Sequence, residues 1–267
     1  MIIYQFEMKH YVRSLMGWII AYASLIISFL AFFPVFSKDT QMLDLLLKNY
    51  PEELLKAFGM GGSLPLSSLF GYLGMTFVYI QICLAIQSAN YGFSCLSVEE
   101  RELTADFLMT KPVSRRTIIL NKFFAALTAI CISTIAVALC IYVGIFFFAK
   151  EVKYETTSLY WLFLSGLLFQ LVFLSVGMVV SVLLKKVRNV LSLSLGMSFS
   201  LYVAYALRAI LGGELIGYVT PFYYFDANAI LENGHLNGPL TALAIGISVI
   251  SLTITYFVYL QRNIHSV

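Results

Sequence analysis

The sequence predicts an all-α polytopic membrane protein with six transmembrane helices, an N-terminal interfacial helix and a cytosolic helix between spans two and three. Three observations predict it. Apolar residues make up 60% of the chain and charged residues 12%, with a mean hydropathy of +0.86; soluble domains carry about 45–50% and about 25%. Several apolar runs reach the ~20 residues that a helix needs to cross a bilayer. The remaining charges gather between those runs, most densely over 97–122. Residues 1–267 form a single transmembrane domain on this reading.

In residues 1–16, Tyr4, Met8, Tyr11, Val12 and Leu15 recur at helical spacing, with Lys9 and Arg13 on the other side. This predicts a helix lying under the membrane. Ile2 and Phe6 blur its polar face, so a frayed tail is the alternative. Hydropathy places the spans at approximately 17–36, 67–91, 117–149, 160–184, 190–211 and 239–260. The first run lacks a small-residue cleavage site and reads as a retained anchor. The third is longer than a bilayer requires, so it tilts or projects into water.

Orientation follows from lysine and arginine. With the N-terminus inside, inner segments carry eleven of these residues and outer segments six, a bias that puts both termini in the cytoplasm. Lys185, Lys186 and Arg188 in one short turn strengthen it.

The first outer loop, 37–66, contains helix signals: Pro51 at the start, Glu52 and Glu53 at the positive end, Lys56 at the negative end and Gly59 as the cap. GMGGS at 59–63 has no Lys-Ser/Thr ending and is not a phosphate-binding loop.

The stretch 97–122 is the most informative. Ser97 and Glu100 have capping-box spacing, which predicts a helix over 98–109. Leu103, Phe107 and Leu108 take one side of it; Glu99, Arg101, Glu102 and Asp106 spread over the rest. Pro112 ends it, because proline lacks the donor and biases the preceding residue away from helix. Ser114 caps the next helix, which carries Arg115, Arg116 and Lys122 into the third span. Such an element can pass a push from a soluble partner into the bilayer. A solvated loop that only satisfies topology is the plainer reading, and Arg115 and Arg116 are expected beside a cytosolic span end in any case.

Residues 212–238 hold no Lys or Arg. LIGYV and FDANAIL predict two short helices broken at Pro221, and Tyr218, Phe222, Tyr223, Tyr224 and Phe225 suit an interfacial aromatic belt. The segment is either a re-entrant or interfacial lid or an ordinary outer loop. Ser192, Gly196 and Ser200 form a small-xxx-small ridge for close helix packing, within the chain or between two chains.

Within the spans, Gln81, Gln87, Asn90 and Gln170 are polar but uncharged, and Arg208 is close enough to a span end to snorkel. Ionisable groups at membrane depth mark ion pathways; their scarcity argues against a proton-coupled carrier. Cys83, Cys95, Cys131 and Cys140 read as buried structural thiols. His10, His235 and His265 lie outside the spans, so neither a metal cluster nor a catalytic dyad is expected.

Glu99, Glu100, Arg101 and Glu102 at the start of the inner helix, the following Leu108-Met109-Thr110-Lys111-Pro112-Val113-Ser114-Arg115, and Lys122 beyond resemble the permease subunits of type 2 ABC exporters. PEELLKAFG in the first outer loop and TPFYYFD before the last span are similar to that family too, so the resemblance covers nearly the whole chain.

The resemblance implies a multi-pass subunit of the plasma membrane that exports its cargo. Two permeases pair, as homodimer or heterodimer, and each docks on a separate ABC ATP-binding subunit. ATP and Mg belong to that partner, and this chain carries no cofactor. The helix at 98–109 is then the coupling element, touching the ATPase through Glu99, Glu100, Arg101, Glu102, Leu103, Phe107 and Leu108. The N-terminal helix braces it, and Pro112, Ser114, Arg115 and Arg116 form a hinge and gate. The route is lined in part by spans two and five and capped by 212–238. Membrane lipid surrounds the chain, and nucleic acid is not an expected partner.

The residues agree that the power source is elsewhere, since the chain holds no Walker-type loop. A self-powered carrier or channel is the alternative; it needs intramembrane charges or interrupted helices around an ion site. An intramembrane enzyme needs a nucleophile, base or metal at depth, and the span serines have no histidine or carboxylate beside them in sequence. Apolar, aromatic-rich spans suit an amphipathic cargo such as a peptide antibiotic or a lipid, which would make antibiotic resistance one outcome of export.

Overall fold

The computed structural model describes residues 2–38, 47, 49–60, 62–101, 114–150, 152–184 and 189–261. Among the described residues all regular structure is helical. The helices are α1 (Ile2–Lys38), α2 (Glu52–Ala57), α3 (Leu69–Arg101), α4 (Arg115–Phe148), α5 (Thr156–Leu183), α6 (Val190–Leu211), α7 (Glu214–Gly217), α8 (Pro221–Tyr224), α9 (Ala227–Asn233) and α10 (Gly238–Gln261). Six of them, α1, α3, α4, α5, α6 and α10, are long and apolar enough to cross a membrane. The all-α polytopic fold is therefore as expected.

Two boundaries differ from the sequence reading. The helix expected over 1–16 and the first span are one element, α1, with no break near Gly17. Span two does not stop at 91: α3 continues through Ser97 to Arg101, so Ser97 lies within a helix rather than before one. Capping-box spacing matters only where the preceding backbone is non-helical. Residues 91–96 contain no proline, and the one glycine there, Gly92, is held by packing, so the helix runs on.

The core is built on α3 and α5, the two most buried spans. Gly92 and Gly177 face each other where they cross. A Cβ on Gly92 would sit 2.4 Å from the Leu174 carbonyl oxygen, and one on Gly177 would sit 3.2 Å from the Gly92 Cα. Ser181 Oγ donates to the Phe93 carbonyl at 3.1 Å across the same seam. Close backbone approach is how helices gain contact where lipid tails compete with apolar side chains. Around this pair, α1 lies against α4, α6 against α3 and α10 against α5.

Several buried polar side chains tie helices together, while many buried serines and threonines bond a carbonyl of their own helix. Gln170 Oε1 accepts from Ser133 Oγ at 3.1 Å and Ser88 Oγ at 3.4 Å, while its Nε2 donates to Thr134 Oγ1 at 2.7 Å. One side chain thus joins α3, α4 and α5. Tyr22 donates to Gln87 Oε1 at 2.6 Å, and Gln87 Nε2 donates to Tyr91 at 3.1 Å. In hydrocarbon each polar group has to find an internal partner. The four cysteines are free, and Cys95 is buried.

Residues 212–238 are not an ordinary loop. They form α7, α8 and α9, three short helices rather than two, folded back onto the bundle. Pro221 starts α8 instead of breaking a helix, since its missing N–H is no loss in a first turn. Phe222 and Phe225 pack edge-to-face against Phe169 in the core, and Gln81 Nε2 donates to the Phe225 carbonyl at 2.7 Å. Asp226 caps α9 through Asn228 N and Ala229 N. Asn228 Nδ2 reaches the Gly59 carbonyl at 3.0 Å. Gly59, at φ +75°, ends α2 in a left-handed turn where Met60 N bonds the Leu55 carbonyl at 2.8 Å. The Tyr224 hydroxyl donates to the Tyr218 carbonyl, and burial raises its pKa, which keeps the proton in place for that bond.

Candidate functional site

The site of interest is the end of the bundle where α3 stops and α4 begins. Glu99, Glu100 and Arg101 occupy the last turn of α3, so they extend the second span. Glu102, Leu103, Phe107, Leu108 and Pro112 lie outside the described residues. Ser114 is the N-cap of α4: its Oγ accepts from Thr117 N at 3.3 Å, satisfying one of the open donors of the first turn. Arg116 is exposed, whereas Arg115 turns inward and its Nη1 donates to the Leu260 carbonyl at 3.3 Å, tying the start of α4 to the end of α10.

Two turns into α4 sits a buried ion pair. Lys122 Nζ lies 2.9 Å from Glu7 Oε1, with the two side chains 2% and 14% exposed. Tyr4 donates to Thr128 Oγ1 at 3.0 Å from the same face of α1. Tyr11 packs on Tyr91 at 4.7 Å between ring centroids, and Tyr91 donates to Ser14 Oγ at 3.4 Å. Around these contacts a compact apolar cluster, including Leu15, Cys95, Ile119, Ala126, Met178, Val182 and Tyr259, joins α1, α3, α4, α5 and α10 at this end. A push on α3 or α4 here is shared by both and by α1, since close-packed interiors transmit strain.

Spacing alone pointed neither to Glu7 nor to a partner for Lys122. One signal was available: Glu7 is the sole acid among residues 1–38. The ridge Ser192, Gly196 and Ser200 is exposed on α6, and a Cβ on Gly196 would meet nothing within 4 Å. The chain's own packing uses the other side of α6, through Ser194, Ser198 and Tyr205. Among the described residues no three His, Cys, Asp or Glu side chains are grouped to hold a metal.

Comparison with known families settles the class. Residues 1–262 match the family described as ABC-2 family transporter protein. The chain belongs to the ABC-2 transporter family. No match is found among curated proteins. As an ABC-2 membrane protein with six membrane-crossing helices, the chain belongs with the permeases of that family rather than with the ATPases that drive them.

Proposed function

We propose that this ABC-2 chain is the membrane-spanning permease subunit of an ATP-driven exporter, worked from the cytoplasm by separate ATP-binding subunits. The carrying observation is mechanical. The segment 102–113 is bounded by two stiff ends: α3, unbroken from Leu69 to Arg101, and α4, capped by Ser114 and clamped to α1 through Lys122 and Glu7. An ATPase that grips 98–109 therefore moves rods. Glu99, Glu100, Arg101 and Glu102 give register at such a rim, while Leu103, Phe107 and Leu108 are the apolar anchors. Pro112, Ser114, Arg115 and Arg116 hinge the motion into α4.

Two permeases pair around the route, with α3 and α6 on its walls and α7–α9 over its outer end. The exposed Ser192-Gly196-Ser200 ridge supports a helix contact between copies, because among the described residues nothing would meet a Cβ at Gly196. The cargo is an amphipathic compound such as a peptide antibiotic or lipid, in keeping with walls of aromatic and aliphatic residues.

The test is reconstitution with the ATPase that co-purifies from membranes. Replacing Glu100 and Glu102 by Lys abolishes substrate-stimulated ATP hydrolysis while the protein still inserts. Unchanged stimulation, or cargo movement by the purified chain alone, overturns the proposal.

A further inference from the structure

A second, polar pocket lies at the opposite end of the bundle, between α2, α6 and α9. It encloses about 380 Å³ and is lined by Lys56, Tyr205, Arg208, Asp226 and Asn228. Two cations face one carboxylate there, and the carboxylate is already engaged. Asp226 Oδ1 accepts from Asn228 N at 2.9 Å and Ala229 N at 3.3 Å, and Oδ2 accepts from the Tyr205 hydroxyl at 2.8 Å. Among the described residues Lys56 makes one ion-pair contact, a loose one at 3.8 Å with the exposed Glu52.

Arg208 is held in place but not satisfied. Its Cζ sits 3.6 Å from the Tyr223 ring centroid. Gly217 backs the side chain so closely that a Cβ there would fall 2.9 Å from Arg208 Cδ and Nε. Its Nε is buried and has no hydrogen-bond partner among the described residues. Arg208 nevertheless lines the polar cavity, and a guanidinium fixed by stacking at such a wall can meet an oxyanion through its remaining N–H groups.

The surroundings indicate where the anion comes from. Arg208 is one turn from the end of the spanning helix, which closes at Gly212 in the left-handed conformation. Leu207, Leu211, Leu215 and Val219 are exposed and apolar beside it, and Tyr218 and Tyr223 stand edge-to-face at 6.3 Å. Apolar residues below an aromatic belt mark the level of lipid headgroups. We propose that this pocket binds a phosphate ester through Arg208 and Lys56, with the headgroup of a membrane phospholipid as its source. The inference is independent of ATP-driven transport, since binding is read without an ATPase.

The experiment uses the full chain in a neutral detergent, titrated separately with dioctanoyl phosphatidylglycerol, dioctanoylglycerol and glycerol 3-phosphate. The wild-type chain is expected to bind the phospholipid at least about tenfold more tightly than dioctanoylglycerol, the scale of one charge-assisted contact, and also more tightly than glycerol 3-phosphate, which lacks the apolar chains. Arg208→Gln removes the preference over dioctanoylglycerol. Lys56→Gln, at an exposed position that disturbs no packing, reduces it several-fold, so the result does not hang on whether the arginine variant folds. Equal binding of dioctanoylglycerol, or an undiminished preference in both variants, overturns the phosphate site. Equal binding of glycerol 3-phosphate overturns the lipid source.

Discussion

Lys122 and Glu7 form a salt bridge of 2.9 Å that is almost wholly removed from solvent and ties α4 to the first turns of α1. Breaking a buried pair by removing one partner costs about 3–5 kcal/mol, whereas apolar replacement of both is often neutral. Glu7→Gln and Lys122→Met are each expected to lower thermal stability in detergent strongly. The double variant Glu7→Leu/Lys122→Met recovers most of the loss. If the double variant loses as much as the two singles together, the ions are not the reason these helices stay joined.

The two glycines Gly92 and Gly196 give a matched comparison. Both lie within spanning helices, yet an added methyl at Gly92 would run into the Leu174 carbonyl and one at Gly196 would touch nothing. Gly92→Ala is expected to cost about 1–3 kcal/mol, the range for overpacking. Gly196→Ala should fall within about 0.5 kcal/mol of wild type, as surface changes do. Thermal unfolding of both variants in one detergent decides it. Gly196→Leu should leave the single chain stable and reduce the proposed pairing of two permeases, measured by crosslinking.

Much of this was legible in the sequence, and the exceptions have a common cause. Hydropathy found all six spans because an unsatisfied backbone has no alternative to helix in hydrocarbon. The start of α4 was legible at Ser114, where the cap chemistry is local. Ser97 misled because the same local chemistry is void inside a helix already propagating from α3. Glu7 and Lys122 could not be paired from spacing, since their meeting depends on which spans are neighbours. Gly92, Gly177 and Gly196 carry no mark of which ones a neighbouring backbone approaches. The fold of 212–238 was half visible: its aromatic residues signalled an interface, but their insertion against Phe169 is a tertiary fact.

Gln170 concentrates the polar contacts of the core in one side chain. Gln170→Leu removes partners of Ser88, Ser133 and Thr134 at once. Those hydroxyls are not all stranded, because Ser88 also donates to the Leu84 carbonyl and Ser133 and Thr134 to the Ile130 carbonyl. The expected loss is therefore about 1–2 kcal/mol, near the upper end for side-chain hydrogen bonds in membranes. Denaturant titration of Gln170→Leu against wild type measures it. A loss above about 4 kcal/mol would belong to cavity formation instead.

The contact between Gly74 and Asn228 controls how firmly α9 sits on α3. A Cβ at Gly74 would lie 2.0 Å from Asn228 Oδ1 and 2.8 Å from its Cγ. Asn228 cannot yield without giving up its bond to the Gly59 carbonyl. Gly74→Ala is therefore expected to loosen α7–α9 locally while the α3–α5 core, more than two helical turns away at Gly92, keeps its packing. Leu231 is 2% exposed and serves as the reporter. In a chain whose four native cysteines are replaced by Ser or Ala, Leu231→Cys should react slowly with a membrane-impermeant maleimide. Adding Gly74→Ala should speed the reaction by about tenfold, the change that a 1.4 kcal/mol shift in local opening produces. Global unfolding should hardly move, because the seam at Gly92 and Gly177 is untouched. An unchanged labelling rate would mean that the aromatic contacts of Phe222 and Phe225 hold the segment down by themselves.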